Sequence, residues 1–433
     1  MKTAIAIALI VMLVLLFLKI PVYLAVIAGS AVYFFMNPGV NSMILGQRLI
    51  SGIQAPSLLA IPFFVAAGTF MNHSGVSSRI MELCDLLTGR LWGGLAQVNV
   101  LLSTLMGGLS GSNLADASME AKLLVPPMRE KGMSNAFASV VTAASAMITP
   151  LIPPGIAMIL FGSLANYSIG KLFVSGIGVG IMLCAGEMIT VSIISHKRGY
   201  KPTRPKGQHL PKGEAGRIVR RSIAPMCLPI IIIGGIRIGV MTATEAGAVA
   251  VVYSIILGLI YKELTWKKFV QGMKETVLST SSIMLIIGAA SALSWVLSKE
   301  QVPQHLTAWM MGVTSNKYVF LLLVNIFLLI CGMLMEGNAI MIILVPLLYP
   351  IALEYGIHPI NFAMAFIFNM SIGALSPPMG TLMFVTCNVT GCPIKDFIKE
   401  SIPFYAVLIL ELILLTYVPF LTTGLVSLIY GAA

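Results

Sequence analysis

Charge is scarce in this chain. Only 10% of its 433 residues are Asp, Glu, Lys or Arg, against about 25% in an ordinary soluble domain, and this excludes a water-soluble fold. Acidic residues are rarest, 16 against 27 basic ones. The basic excess does not point to nucleic acid, because the Lys and Arg residues lie in short connections between apolar runs and not on an aromatic-studded polar face. Cysteine is also sparse. The six cysteines sit mostly inside apolar segments without a CxxC pair, so neither a disulfide framework nor a zinc site is indicated. The five histidines are scattered, mostly in connections.

What is abundant is apolar surface, at 58% of residues. A membrane helix needs about 20 mostly apolar residues to cross about 30 Å of hydrocarbon, which limits the chain to roughly a dozen crossings. The fold class is therefore an all-α polytopic membrane protein in a lipid bilayer. Lys2 followed by the run from Ala4 to Leu18 resembles a signal peptide, but no small-x-small cleavage site ends that run, and two retained helices are expected. Crossings are predicted near 4–18, 22–36, 56–72, 134–167, 172–195, 222–240, 243–261, 276–298, 359–392 and 400–429. The stretch from Lys262 to Lys274, with Trp266 and Phe269, reads as an amphipathic helix on the inner surface.

Two stretches do not fit as simple crossings. Residues 93–128 hold Gly107, Gly108, Gly111, Asp116, Glu120 and Lys122 in apolar surroundings, and residues 317–348 hold Gly332, Glu336, Gly337 and Asn338. Glycines and polar groups at membrane depth are tolerated where the backbone lines a cavity or is buried in protein, so both stretches are predicted to be re-entrant hairpins. The alternative, a helix with small residues at a packing face, weakens because the two occur at corresponding places.

Residues 196–221 carry nine Lys or Arg, three prolines and one glutamate, and they separate a first half (1–195) from a second (222–433). Each half has five predicted crossings and one hairpin. An odd number of crossings inverts the second half, giving two inverted repeats. Motifs recur in order: Asn99 before Ser110-Gly111-Ser112 and Asn325 before Glu336-Gly337-Asn338, then Pro153-Pro154 and Pro377-Pro378, then Lys171-Leu172-Phe173 and Lys395-Asp396-Phe397. With the basic connection placed in the cytoplasm, all but six of the 27 Lys and Arg residues (Lys2, Arg48, Lys171, Arg237, Lys299, Lys317) fall on the inner side, as the positive-inside rule requires.

Secondary transporters built on inverted repeats bind cargo and ions near the midplane, where broken helices present free carbonyls and helix ends. The sequence offers such breaks twice. Ser110-Gly111-Ser112-Asn113 forms one hairpin tip, and the stretch from Ser145 through Thr149 and Pro153-Pro154 should unwind the following helix. Glu336-Gly337-Asn338 forms the other tip, with a break running from Asn369 through Gly373 to Ser376-Pro377-Pro378-Met379-Gly380. Proline removes an amide donor and clashes with the preceding turn, so paired prolines free carbonyl oxygens for a hard cation such as Na+. Hydroxyls of Ser112, Ser145, Thr149 and Ser376 could complete such shells. Asn113, Asp116, Glu336 and Asn369 are candidates for contact with substrate.

The runs Leu59 to Gly68, Leu109 to Asp116, Pro150-Leu151-Ile152-Pro153-Pro154, Ile169 to Phe173, Thr244-Glu245-Ala246 and Ser376 to Gly380 are similar to those of the large membrane subunit of tripartite ATP-independent periplasmic (TRAP) transporters, the DctM-like family. The resemblance spans almost the whole chain. It implies a Na+-driven symporter of the bacterial inner membrane, an elevator-type carrier that takes an organic acid from a periplasmic substrate-binding protein and pairs with a separate small four-helix membrane subunit. No cofactor beyond Na+ is implied. Carried onto this chain, the family's sodium sites fall on Ser110, Gly111, Ser112, Ser145 and Thr149, and on Gly337, Asn338, Gly373, Ser376 and Met379. Ser376 stands where the family often has threonine, keeping a hydroxyl, and Asn113 stands where a small or apolar residue is usual.

Two other classes share some of these features. Gly108-Leu109-Ser110-Gly111 reads as the GxSG of an intramembrane serine protease, but no histidine after Ser110 lies deep in a predicted crossing to act as base. A Na+/carboxylate symporter of the same plan without a binding protein differs only in lacking the family-like runs.

Overall fold

The computed structural model describes residues 3–18, 20–204, 211 and 213–431; Lys2, Lys19, His209 and most of the centre of the basic connection lie outside the described residues. Among these the fold is entirely helical. The first half comprises α1 (Thr3–Phe17), α2 (Val22–Met36), α3 (Met43–Ser51), α4 (Ala60–His73), α5 (Val76–Thr88), α6 (Leu95–Ser110), α7 (Asn113–Glu130), α8 (Asn135–Ser145), α9 (Ile156–Leu164) and α10 (Ile169–Arg198). The second comprises α11 (Glu214–Ile238), α12 (Ala243–Ile260), α13 (Trp266–Lys299), α14 (Val302–Val313), α15 (Lys317–Leu334), α16 (Gly337–Glu354), α17 (Pro359–Leu375), α18 (Thr381–Thr390), α19 (Ile394–Tyr417) and α20 (Phe420–Tyr430).

Among the described residues six helices, α10 to α13, α15 and α16, are long and apolar enough to cross a membrane, or up to eight spans if each of two bent pairs counts as one. The bent pairs are α8 with α9, at 42°, and α19 with α20, at 54°. Large apolar side chains remain on the outside, among them Phe35 at 86% exposed and Leu278 at 70%. Such faces are stable against lipid and not against water.

The predicted runs 4–18 and 22–36 form 15-residue helices within one residue of those bounds. Three expectations are adjusted. The stretch 262–274 is no separate surface helix: Thr265 caps a single 34-residue α13, because no proline interrupts the chain between Trp266 and Lys299. The last crossing breaks at Val418-Pro419, where proline denies an amide. The arms α15 and α16, at 18 residues each, are long enough to cross, so length does not mark this hairpin as re-entrant.

Two groups of helices pack against one another. The α1–α2 pair lies on α13, and α4 lies in the seam between α12 and α13; Phe34 stacks on Trp295 with ring centroids 5.6 Å apart. The other group gathers α6 to α10 with α15 to α20, where the buried core is densest, as around Phe161 and Phe366.

Candidate functional site

Both hairpins turn within two residues, and each turn follows from its sequence. The α6 arm ends on Gly111, whose φ of 63° is left-handed and favours glycine. Ser112 then takes an extended conformation and its hydroxyl accepts from the Ala115 amide at 3.5 Å, which starts α7. In the second half Met335 ends α15, and Glu336 caps α16, its carboxylate accepting from the Ala339 amide at 3.2 Å and the Asn338 Nδ2 at 2.8 Å.

Each tip faces a broken helix. Between α8 and α9 the chain passes through a single 3-10 turn (Thr149–Leu151) and the Pro153-Pro154 pair; between α17 and α18 it passes through Ser376-Pro377-Pro378-Met379-Gly380. Both Pro-Pro bonds are cis. Main chain meets main chain here in both halves: a Cβ on Gly107 would come within 2.9 Å of Thr149 Cα, and one on Gly373 within 2.5 Å of Gly332 Cα. Polar bridges repeat as well. Ser145 Oγ donates to Asn99 Oδ1 at 3.3 Å, and Asn369 Nδ2 donates to Asn325 Oδ1 at 2.9 Å.

The tips meet at a cavity of about 340 Å³. Ser110, Gly111, Ser112 and Asn113 line it from the first half, and Glu336, Gly337 and Asn338 from the second. The opposite wall comes from α4 (Gly68, Thr69, Asn72) and α13 (Glu275, Ser279). Among the described residues no Lys or Arg lines the cavity, and its carboxylates are committed: Glu336 caps α16 and Glu275 pairs with His73 Nε2 at 3.1 Å.

The remaining sequence candidates lie behind this wall. Asp116 is fully buried, its Oδ2 accepting from Ser110 Oγ at 2.6 Å and Thr149 Oγ1 at 2.9 Å, while Oδ1 has no partner. Asn369 is buried and its Oδ1 lacks a partner. Ser145 is buried, and Gly373 packs on Gly332. Ser376 Oγ donates to Ile372 O at 2.9 Å, and Met379 is 41% exposed with its amide bound to Met333 O at 3.1 Å. Sequence reasoning had no role for Ser103 or Glu120, yet Ser103 Oγ bridges Glu120 Oε2 at 2.5 Å and Ser145 Oγ at 2.8 Å. The available signal was spacing. Glu120 follows Asp116 by one helical turn, so both acids share a face of α7.

Buried acids, hydroxyls and unpaired amide oxygens behind a cavity walled by two broken hairpins describe a multi-pass transport protein, and the comparisons agree. The family profile described as tripartite ATP-independent periplasmic transporter, DctM component, matches residues 9–421. The large permease protein SiaM of a sialic acid TRAP transporter from Vibrio cholerae is 35% identical over 418 residues, covering 96% of this chain and 97% of that protein. The large permease protein DctM of a C4-dicarboxylate TRAP transporter from Pseudomonas aeruginosa is 34% identical over 401 residues, covering 92% of each. Among solved structures, the Alcanivorax borkumensis YdaH transporter shares the fold, with a TM-score of 0.62 at 14% identity over 90% of this chain and 89% of that one. The chain belongs to the DctM-like family of TRAP transporter large permeases. It is a multi-pass protein of the inner membrane that moves small solutes.

Proposed function

We propose that this chain is the carrier subunit of a Na+-driven importer that receives an organic acid from a periplasmic binding protein and works with a small four-helix membrane subunit. The observation that carries the reading is the cavity between the tips, which among the described residues has no fixed cationic side chain on its wall. An anionic cargo entering such a space keeps its charge only if bound cations compensate it. The relatives named above are transporters of sialic acid and of C4-dicarboxylates, which supports an acid as cargo.

The residues fit the ion. Asp116 with Ser110 and Thr149 supplies oxygens for one Na+ beneath the first tip, together with Gly111, Ser112 and Ser145. Asn369 Oδ1, with Gly337, Asn338 and the main chain of Gly373, Ser376 and Met379, supplies the second. In this reading Asp116 and Asn369 act on the ion, and Ser112, Asn113 and Asn338 face the acid, whose carboxylate meets the positive end of α7. The recurrence of the Asn99–Ser145 bridge as Asn325–Asn369 supports inverted repeats. The α6–α10 and α15–α20 group would then slide against the α1–α4 and α11–α13 group, as an elevator.

The test is uptake of labelled acids into proteoliposomes holding the chain and its small subunit. Uptake is expected only with inward Na+ and the binding protein together. Full uptake with K+ replacing Na+ on both sides would overturn the proposal.

A further inference from the structure

A second cavity, of about 160 Å³, lies among the starts of α10 and α17 and the last helix, α20. Its character is opposite to that of the main cavity. Lys171, His358, Tyr167, Tyr430, Thr423 and Ser427 line it, and among the described residues no carboxylate does. Lys171 sits in the first turn of α10 and His358 caps α17. Helix N-termini carry partial positive charge and favour anions, so a lysine and a histidine gathered at two such ends place like charges together. Among the described residues Lys171 has no ion pair to offset this.

Two of the hydroxyls are committed to main-chain carbonyls, Thr423 Oγ1 donating to Pro419 O at 2.8 Å and Ser427 Oγ to Thr423 O at 3.0 Å. Tyr430 Oη stands over the first turn of α10, 3.1 Å from where a Cβ on Gly170 would lie. His358 Nδ1 accepts from the Ile360 amide at 3.2 Å, so the neutral ring carries its proton on Nε2 and can donate. Arg237 donates to Ile429 O at 2.7 Å and fixes the end of α20.

We propose that this cavity binds a small oxyanion, a carboxylate or phosphate group, through Lys171 Nζ, His358 Nε2 and Tyr430 Oη. The group could belong to a free anion or to the headgroup of an anionic lipid, and the chemistry of recognition is the same. On the topology expected from charge, the cavity opens on the outer side.

The proposal has a pH signature. Burial and the Lys171 charge hold the His358 imidazolium below its usual range, so the ring is neutral near pH 7 when the cavity is empty. An anion between the two reverses that bias, and binding tightens as pH falls toward 6. The other titratable or charged groups around the ring are Tyr167, Tyr430 and, behind Tyr430, Arg237. The tyrosines do not titrate in this window.

The experiment uses the full chain in neutral detergent without added lipid, titrated calorimetrically with inorganic phosphate and with acetate at matched ionic strength. A second arm uses nanodiscs with and without phosphatidylglycerol, read by thermal unfolding. Lys171→Gln should weaken binding at least tenfold and Lys171→Arg should keep it, while His358→Gln should abolish the gain between pH 7.5 and 6. Binding of phosphate or acetate assigns a free anion, and Lys171-dependent stabilisation by phosphatidylglycerol alone assigns a lipid; either supports the site. If Lys171→Gln fails to fold, His358→Gln with an unchanged pH dependence overturns it. So does a folded Lys171→Gln that matches the wild type in every arm.

Discussion

Gly68 offers the sharpest test of sliding. It lies on α4 against the first hairpin tip, and a Cβ there would stand 2.5 Å from Ser110 O and 2.9 Å from Ser110 Cα. Both atoms are main chain, so no rotamer change relieves the clash. Carbon contacts settle at about 3.5–4.0 Å, which means the tip must withdraw by about 1 Å. Overpacking of this kind costs about 1–3 kcal/mol. If the tip leaves α4 during transport, Gly68→Ala penalises only this conformation and shifts the population away from it by roughly 5- to 150-fold. Gly247→Ala is the control, because its Cβ would meet Phe63 Cβ at 2.9 Å across the α4–α12 seam, inside one group. Spin labels at exposed Val252 on α12 and Ile402 on α19, in a background without the native cysteines, report the distance between groups. Gly68→Ala should move that distance distribution and slow uptake with little change in melting, and Gly247→Ala should lower melting without moving it. A Gly68→Ala distribution identical to the wild type would refute the sliding contact.

Three further outcomes are expected. Asp116→Asn keeps the shape but removes the charge beneath the first tip, and it should raise the Na+ concentration for half-maximal uptake at least tenfold; an unchanged sodium curve would remove Asp116 from the ion site. Glu336→Gln retains an acceptor for the Ala339 amide and should melt like the wild type, whereas Glu336→Ala should lose about 1 kcal/mol of stability through the lost cap; equal losses would mean that charge matters more than capping. Single cysteines at exposed Lys197 or Lys201 should react with a membrane-impermeant reagent only from the cytoplasmic face, and labelling from outside would invert the topology.

The tips and breaks were legible because their chemistry is local. Gly111 needs a left-handed turn, Ser112 and Glu336 can cap a helix, and paired prolines interrupt one, all within a few residues of sequence. The wall opposite the tips was not legible. Thr69, Asn72, Glu275 and Ser279 meet the tips only because α4 and α13 pack together across two hundred residues of chain, and nothing in their spacing announces it. The Ser103–Glu120 bridge was hidden likewise, since a serine on one hairpin arm finds its partner only when the arms fold antiparallel. The Pro419 bend went unread because a lone proline in an apolar run is as compatible with a kinked crossing as with two helices.

Although the two hairpins repeat one backbone plan, their apices differ. One ends in a neutral hydroxyl at Ser112 and the other in the carboxylate of Glu336. A guest molecule held between them therefore meets unlike neighbours at its two ends, and an acid with one carboxyl group has a preferred way round. The chamber has a head and a tail, which a pair of matching apices could not provide.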